Sequence, residues 1–378
     1  MTDNFIPYSR SSPSKNEKKY LMQVCKTRHL HGGGPFTELV EKHLRTIFPH
    51  HRSFLTTSCS DALELAALSI DIQAGDEVIV PSFSFTSCAN AFALRGAKIV
   101  FCDIDDTDFN INIDDLRSLI TEKTRAIVCV NYASVPCNYD AIRQIVKGSN
   151  ILIVEDNAHG YLASSNGNML GTYGDLSVLS FHNTKNISAG EAGVLLMRDD
   201  AEETIEKASI IIEKGTNRKA FSRGIVDKYT WNLIGSSFVA SELIAAVLLA
   251  NLEEAEKKTG RRKLIWNEYF DIINSLDSPS FERPTYMLDH NHNGHIFPIL
   301  ATSKDMRDLL IARSLERNIQ STSHYQPLSS SPAALRYGFD RFCKNADSVA
   351  DRIFRVPIFD DMSDEEMSRV HRFLAELK

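Results

Sequence analysis

What the chain lacks narrows its function before any motif is read. No stretch approaches the ~18 continuous apolar residues of a membrane-spanning helix, and the opening MTDNFIPYSRSSPSKNEKKY has no apolar core of the kind a secretory leader needs. The expected setting is therefore the cytoplasm, with no membrane partner. That setting also makes the Asn186-Ile187-Ser188 glycosylation pattern meaningless. The seven cysteines are scattered, odd in number and without a CxxC pair, so a reducing compartment is expected and a zinc site is not. No GxGxxG joins a strand to a helix, which leaves a nicotinamide-dependent enzyme without its phosphate site. Forty-two basic residues against 49 acidic ones, with no basic stripe, argue against nucleic acid.

One tempting cluster fails on its own spacing. Asp103, Asp105, Asp106 and Asp108 resemble the start of a calcium loop, but Asp108 stands at the sixth position, where that loop needs glycine. A solvated acidic loop accounts for it, and no metal is expected.

What is present is an α/β pattern. EVIV (77–80), AKIVFCDI (97–104) and RAIVCVNY (125–132) are short apolar runs separated by helical stretches, the alternation of a doubly wound sheet. A chain of 378 residues has room for two domains. The expected division is a large domain over 1–245 and a small C-terminal one over 246–378. HIFPIL (295–300) reads as a strand, MRDLLIARSLERN (306–318) as a helix, and SDEEMSRVHRFLAELK as a terminal helix with Ser363 and Glu366 at capping-box spacing. A further amphipathic helix is expected from about Ser241 to Lys258.

The stretch from Asn150 to Gly193 carries the chemistry. Ile151 to Val154 is a buried strand by length and β-branching, which puts Asp156 at its C-terminal end, where parallel sheets present ligand-binding groups. Leu176 to Phe181 is a second apolar run, and Lys185 follows it by four residues. A carboxylate and an amine converging on one site suit pyridoxal phosphate: the amine condenses with the aldehyde, and the carboxylate keeps the pyridine nitrogen protonated. Taken singly, such residues are more often a turn cap, for Asp156, and one of many solvated lysines, for Lys185. Gly167, Gly171 and Gly174 read as turn residues.

VEDNAHG (154–160), LGTYGDLSVLSFHNTKN (170–186) and GEAG (190–193) together resemble the DegT-like sugar-nucleotide aminotransferases, a branch of the fold-type I pyridoxal phosphate enzymes. The resemblance runs in consistent order over nearly the whole chain. It implies a large three-layer domain with a mostly parallel sheet, plus a small C-terminal α/β domain. By the same carry-over, Asp156 pairs the pyridine nitrogen, His159 lies beside the ring and its phenolic oxygen, and Lys185 forms the Schiff base. Ser180 helps hold the phosphate. Ala192 stands where the family usually has glycine.

Elsewhere the residues alone say less, and the resemblance adds roles. Ser58 and Asp61 have capping-box spacing ahead of the periodicity Leu63, Ala66, Ala67, Ile70, so a helix N-terminus able to receive an anion lies there. In the family this is the phosphate loop, with Ser58, Cys59 and Ser60 as its members; Cys59 replaces a glycine but keeps the backbone donor. Phe85 has the position of the aromatic that stacks on the pyridine ring, although a core phenylalanine is the commoner fate of such a residue. Gly33 and Gly34, in a glycine cluster ahead of a helix, and His324 and Tyr325, in SHYQPL, are implied to border the substrate. Ser237 occupies the place from which a neighbouring subunit's asparagine reaches the phosphate in many relatives, and a homodimer is implied.

EKGTNR (213–218) and RGIVDKYTW (223–231) resemble the subgroup that aminates dTDP-4-keto-6-deoxyhexoses with glutamate, toward dTDP-4-amino-4,6-dideoxygalactose for surface polysaccharide. The gluco epimer and a 3-amino sugar are the alternatives. A sugar dehydratase of the same fold has histidine in place of the lysine, so Lys185 argues against it. A cofactor-binding regulator without turnover is the alternative from another class.

Overall fold

A computed structural model describes residues 4–222, 224–282 and 290–377; Arg223, which opens RGIVDKYTW, and Lys378, which closes the terminal helical pattern, lie outside them. The strands run β1 (His51–Thr56), β2 (Glu77–Pro81), β3 (Lys98–Cys102), β4 (Thr124–Val130) and β5 (Leu152–Asp156). After the short hairpin β6–β7 (Ser164–Ser165, Asn168–Met169) come β8 (Leu176–Ser180) and β9 (Gly193–Arg198). Seven of these form one sheet in the order β1-β9-β8-β5-β4-β2-β3, parallel from β8 to β3, with β9 reversed between β1 and β8.

Helices cover both faces. They are α1 (Glu17–Thr27), α2 (Pro35–Ile47), α3 (Cys59–Ser69), α4 (Ser87–Ala93), α5 (Ile113–Leu119), α6 (Tyr139–Ile145), α7 (Glu202–Ile211) and α8 (Arg218–Ser222). Because side chains alternate along a strand, Val78 and Val80 pack with Leu63, Ala66 and Phe92 of α3 and α4, while Ile79 packs with Leu116 and Ile142 of α5 and α6. Burial on both faces explains why these strands read as continuous apolar runs.

α9 (Glu242–Leu252) and α10 (Ala255–Ser275) replace the single amphipathic helix expected over 241–258; the helix breaks at Glu253–Glu254. α9 is buried nearly all round, because Ala245, Ala246, Leu248 and Leu249 pack with Val40 and Leu44 of α2 and with Val194 of the sheet. The expected division at 245/246 thus falls inside a helix that packs with the large sheet. The packing changes between α9 and α10.

From α10 onward a second core forms. β10 (Phe281–Glu282), β11 (Phe297–Ala301) and β12 (Ile353–Val356) make a small antiparallel sheet; α11 (Lys304–Glu316), α12 (Pro332–Tyr337), α13 (Lys344–Arg352) and α14 (Asp364–Ala375) complete the C-terminal part. Trp266, Tyr269, Phe297, Phe354 and Phe373 share one cluster, joined by Ile6 from the start of the chain. The capping box at Ser363 and Glu366 is formed on both arms. No helix among the described residues is long and apolar enough to cross a membrane.

Candidate active site

Val130, Asp156 and Ser180 are the last residues of β4, β5 and β8, three neighbouring parallel strands, and all three line one cavity of about 540 Å³. The strand ends of a parallel sheet are where its backbone leaves room for a ligand. Lys185 enters the same cavity from the loop after β8. That loop is fixed by the next residue: Asn186 donates to the Asn293 carbonyl at 2.8 Å, and its oxygen meets Nδ1 of His295 at 2.9 Å.

Asp156 is buried and held on both oxygens, by the Cys88 thiol at 2.9 Å and the Ala158 N–H at 3.0 Å. Burial lowers the Lys185 ammonium to about 8; Cys59 and Asp156 oppose that shift, and the Arg355 charge adds to it. Lys185 makes no ion pair among the described residues.

The floor beneath Asp156 is its neighbour Glu155, which points to the opposite face of β5. Its carboxylate, fully buried, accepts from Asn131 at 2.8 Å, from the N–H groups of Gly171, Tyr173 and Gly174 at 2.6, 2.9 and 3.0 Å, and from Ser177 at 3.0 Å. Burial raises its pKa, and these donors pull the other way. Gly171 and Gly174 are therefore more than turn residues. A Cβ on Gly174 would sit 2.5 Å from the Leu176 carbonyl oxygen and 2.8 Å from Glu155 Cβ.

Opposite lies the N-terminus of α3. Ser58 caps it by accepting from Asp61 N at 3.1 Å, while the Asp61 carboxylate accepts from the Thr57 hydroxyl, so only the Ser58 arm of the expected box forms here. Ser58, Cys59 and Ser60 line the cavity, and the Ser60 hydroxyl meets that of Ser87 at 2.5 Å. β9 presses against this loop from behind: a Cβ on Gly193 would lie 2.3 Å from Ser58 O and 2.4 Å from Cys59 N. Glycine is required there, whereas Ala192 is accommodated in the core.

Residues 12–375 match the family described as DegT/DnrJ/EryC1/StrS aminotransferases. The chain belongs to that family. It is 27% identical over 367 residues to GDP-perosamine synthase of Escherichia coli O157:H7, covering 96% of each chain. It is 28% identical over 347 residues to dTDP-4-dehydro-2,3,6-trideoxy-D-glucose 4-aminotransferase of Saccharopolyspora spinosa, covering 90% of this chain and 88% of that one. Its fold is that of Helicobacter pylori PseC, an aminotransferase of pseudoaminic acid biosynthesis, with a TM-score of 0.90 over 99% of both chains at 23% identity. It is a pyridoxal-phosphate-dependent sugar aminotransferase of fold-type I.

The cavity fits that cofactor on its own chemistry. It offers an unpaired amine, a buried carboxylate held in place, and a helix N-terminus flanked by hydroxyls, which is a ready anion site. The remaining wall is aromatic. His159 accepts from Ala133 N at its Nδ1 (3.3 Å), and burial drives its pKa well below 6.5, so the neutral ring carries its proton on Nε2 and donates to the Tyr325 oxygen at 3.3 Å. Ala133 and Ser134, beside it, both adopt positive φ (52° and 68°) without being glycine. His324 stacks parallel to Tyr325 at 4.2 Å, and Phe85, 57% exposed, lies 6.4 Å from the same ring.

Three expected residues are not brought to this cavity within the chain. Gly34 N, Phe36 N and Thr37 N all donate to the buried Glu242 carboxylate at 2.7–3.1 Å, so the glycine cluster, Gly33 included, serves the junction of α2 and α9. Ser237 is exposed and pairs through its backbone with Glu213. Conversely, Tyr8, His295 and Arg355 line the cavity without having been marked by any sequence pattern. His295 lay within a segment read only as strand.

Proposed function

We propose that this enzyme moves the amino group of glutamate to carbon 4 of a dTDP-linked 4-keto-6-deoxyhexose, giving dTDP-4-amino-4,6-dideoxygalactose for a surface polysaccharide, in the cytoplasm and as a homodimer. The chemistry rests on one observation: Asp156 and Lys185 share a cavity built from three parallel strand ends. The sugar rests on the subgroup motifs EKGTNR and DKYTW, which lie on the segment before α9. The relative named as a dTDP-sugar 4-aminotransferase supports carbon 4 and the dTDP carrier.

Pyridoxal phosphate, when bound, supplies the electron sink and the amino-group carrier. Lys185 would hold its aldehyde, Asp156 its pyridine nitrogen, and Ser58, Cys59, Ser60 and Ser180 its phosphate, with Phe85 and His159 as its ring neighbours. With its ammonium near 8, Lys185 has roughly a tenth of its amine free at pH 7, enough to act as a base and, protonated, as an acid. It removes the proton from the donor's α-carbon and later delivers one to carbon 4 of the acceptor. Which face of the ketone meets Lys185 sets the new amine axial or equatorial.

Incubation with dTDP-4-keto-6-deoxyglucose, glutamate and pyridoxal phosphate tests this, read by NMR at carbon 4. A small coupling between the protons on carbons 3 and 4 is expected for the galacto product. A large diaxial coupling means the gluco epimer, and no product means a different sugar nucleotide.

A further inference from the structure

Asp156 is held from two directions that differ in kind. Its Oδ1 accepts from the Ala158 N–H at 3.0 Å, two residues along the same turn, while its Oδ2 accepts from the thiol of Cys88 at 2.9 Å, 68 residues away on α4. The first contact is local and follows the carboxylate wherever β5 carries it. The second fixes it against another element.

α4 is built to serve as that reference. The turn ahead of it is pinned: the Ser84 hydroxyl donates to the Pro81 carbonyl at 2.7 Å, and the buried ring of Phe83 packs on those of Tyr132 and Tyr325, with centroids 5.2 and 5.5 Å away. Ala91 and Phe92, further along, lie in the main core. Within its first turn, adjacent residues serve two ends of the cavity: Ser87 meets the Ser60 hydroxyl at 2.5 Å, at the N-terminus of α3, and Cys88 meets Asp156. The hydroxyl-lined end and the carboxylate are thereby both referred to one rigid piece of backbone.

The chemistry of the donor matters as much as its place. Cys88 is fully buried, and burial, followed by the Asp156 charge beside it, pushes the thiol up, so it stays S–H and donates. A thiol is a weak donor. A strong donor on the same oxygen would draw charge from the carboxylate, whereas a weak one orients it and leaves its remaining lone pairs basic.

We propose that Cys88 is a positioning residue for Asp156: its thiol holds the carboxylate in the orientation that meets the pyridine nitrogen of the cofactor, while taking little of its charge. The assignment deepens the proposed mechanism and rests on the pairing of Asp156 with that nitrogen.

The test reads the nitrogen contact without turnover. The full chain, stripped of cofactor, is titrated with pyridoxal phosphate and with its 1-deaza analogue, in which a C–H replaces the ring nitrogen. Loosened packing weakens both alike, so the ratio of the two dissociation constants reports on Asp156. Cys88→Val fills the space without a donor and is expected to shrink the preference for pyridoxal phosphate about 3–10-fold, the scale of one ordinary hydrogen bond. In the holoenzyme, proton abstraction from glutamate should slow by a similar factor. Cys88→Ser restores a donor and should bring both quantities back to within about twofold of wild type. An unchanged preference in Cys88→Val would overturn the role, and so would an equal loss in the valine and serine variants, which would make Cys88 a matter of packing. If the valine variant does not fold, Cys88→Ala takes its place with the same expectation. Asp156→Asn separates this role from the pairing beneath it, because it should shrink the preference further than Cys88→Val does. A preference unchanged in Asp156→Asn takes Asp156 off the nitrogen and the role of Cys88 with it. A preference that shrinks in Asp156→Asn but not in Cys88→Val removes the role of Cys88 alone.

Discussion

The floor of the cavity and the segment from Lys214 to Ser237 are built on opposite terms. Under the floor, Glu155 gathers five donors in full burial, and each is backbone or a side chain itself held in place. In the other segment Ile225, Trp231 and Ile234 are 70%, 76% and 64% exposed, and the backbone returns on itself through isolated bridges such as Thr216 with Trp231. Chemistry that all relatives of a family share needs atoms fixed within a fraction of an ångström, and buried polar networks supply that. An open apolar surface of this kind is a common mark of an interaction site. The first region is closed by its own contacts, and the second leaves apolar side chains to solvent.

The sharpest way to break this contrast is at Lys185. Lys185→Ala should abolish both half-reactions, about 10²–10⁴-fold from the lost proton transfer alone, with the fold intact by circular dichroism; ordinary turnover would end the proposal. In the native enzyme the proton-transfer step should quicken as pH rises through about 8, because the depressed ammonium becomes a free base there. A rate flat from pH 7 to 9 would remove Lys185 as the base.

Next comes the floor. Glu155→Ala leaves several buried donors without an acceptor and should cost about 3–5 kcal/mol of stability, measured by chemical denaturation. A change below about 1 kcal/mol would mean that water replaces the carboxylate and that the floor is not rigid. Asp156→Asn keeps the side chain's shape and should retain the cofactor. Proton abstraction should slow by about 10–100-fold, the equivalent of a charge-assisted hydrogen bond. An unchanged rate takes Asp156 off the pyridine nitrogen.

How far the sequence anticipates these regions follows from the reach of its signals. Asp156 and Lys185 were legible because each ends or follows a short apolar run, and a strand end is a local property. Glu155 was not, because an acid inside a buried run gives no sign of the five donors that meet it from Asn131 and the 171–177 turn. The parallel strands and the terminal capping box emerged as expected, being matters of periodicity. α9 was misread as amphipathic because its contacts with α2 and the sheet are tertiary. Arg355 carried no local signal: it meets the cavity it shares with Lys185, 170 residues earlier, and the Tyr8 ring at the start of the chain only through the fold. The glycines at 33 and 34 were placed by analogy, and within the chain their neighbourhood turns on Glu242.

Trp231 gives the last and gentlest test of the contrast. Its side chain is 76% exposed, so replacing it removes little from the fold of one chain, and Trp231→Ser should change unfolding stability by no more than about 0.5 kcal/mol. If the Lys214–Ser237 surface is covered by a second copy, the same substitution strips an aromatic anchor from that contact and should raise the dimer dissociation constant about tenfold or more. Sedimentation velocity across a dilution series separates the two quantities. If the proposed homodimer forms there, activity should fall along the same dilution curve as the dimer, since Ser237 and its neighbours would then meet a cofactor only across that contact. A wild-type monomer with full activity would show instead that the cavity is complete without its neighbour, and that the exposed aromatics serve the sugar nucleotide directly.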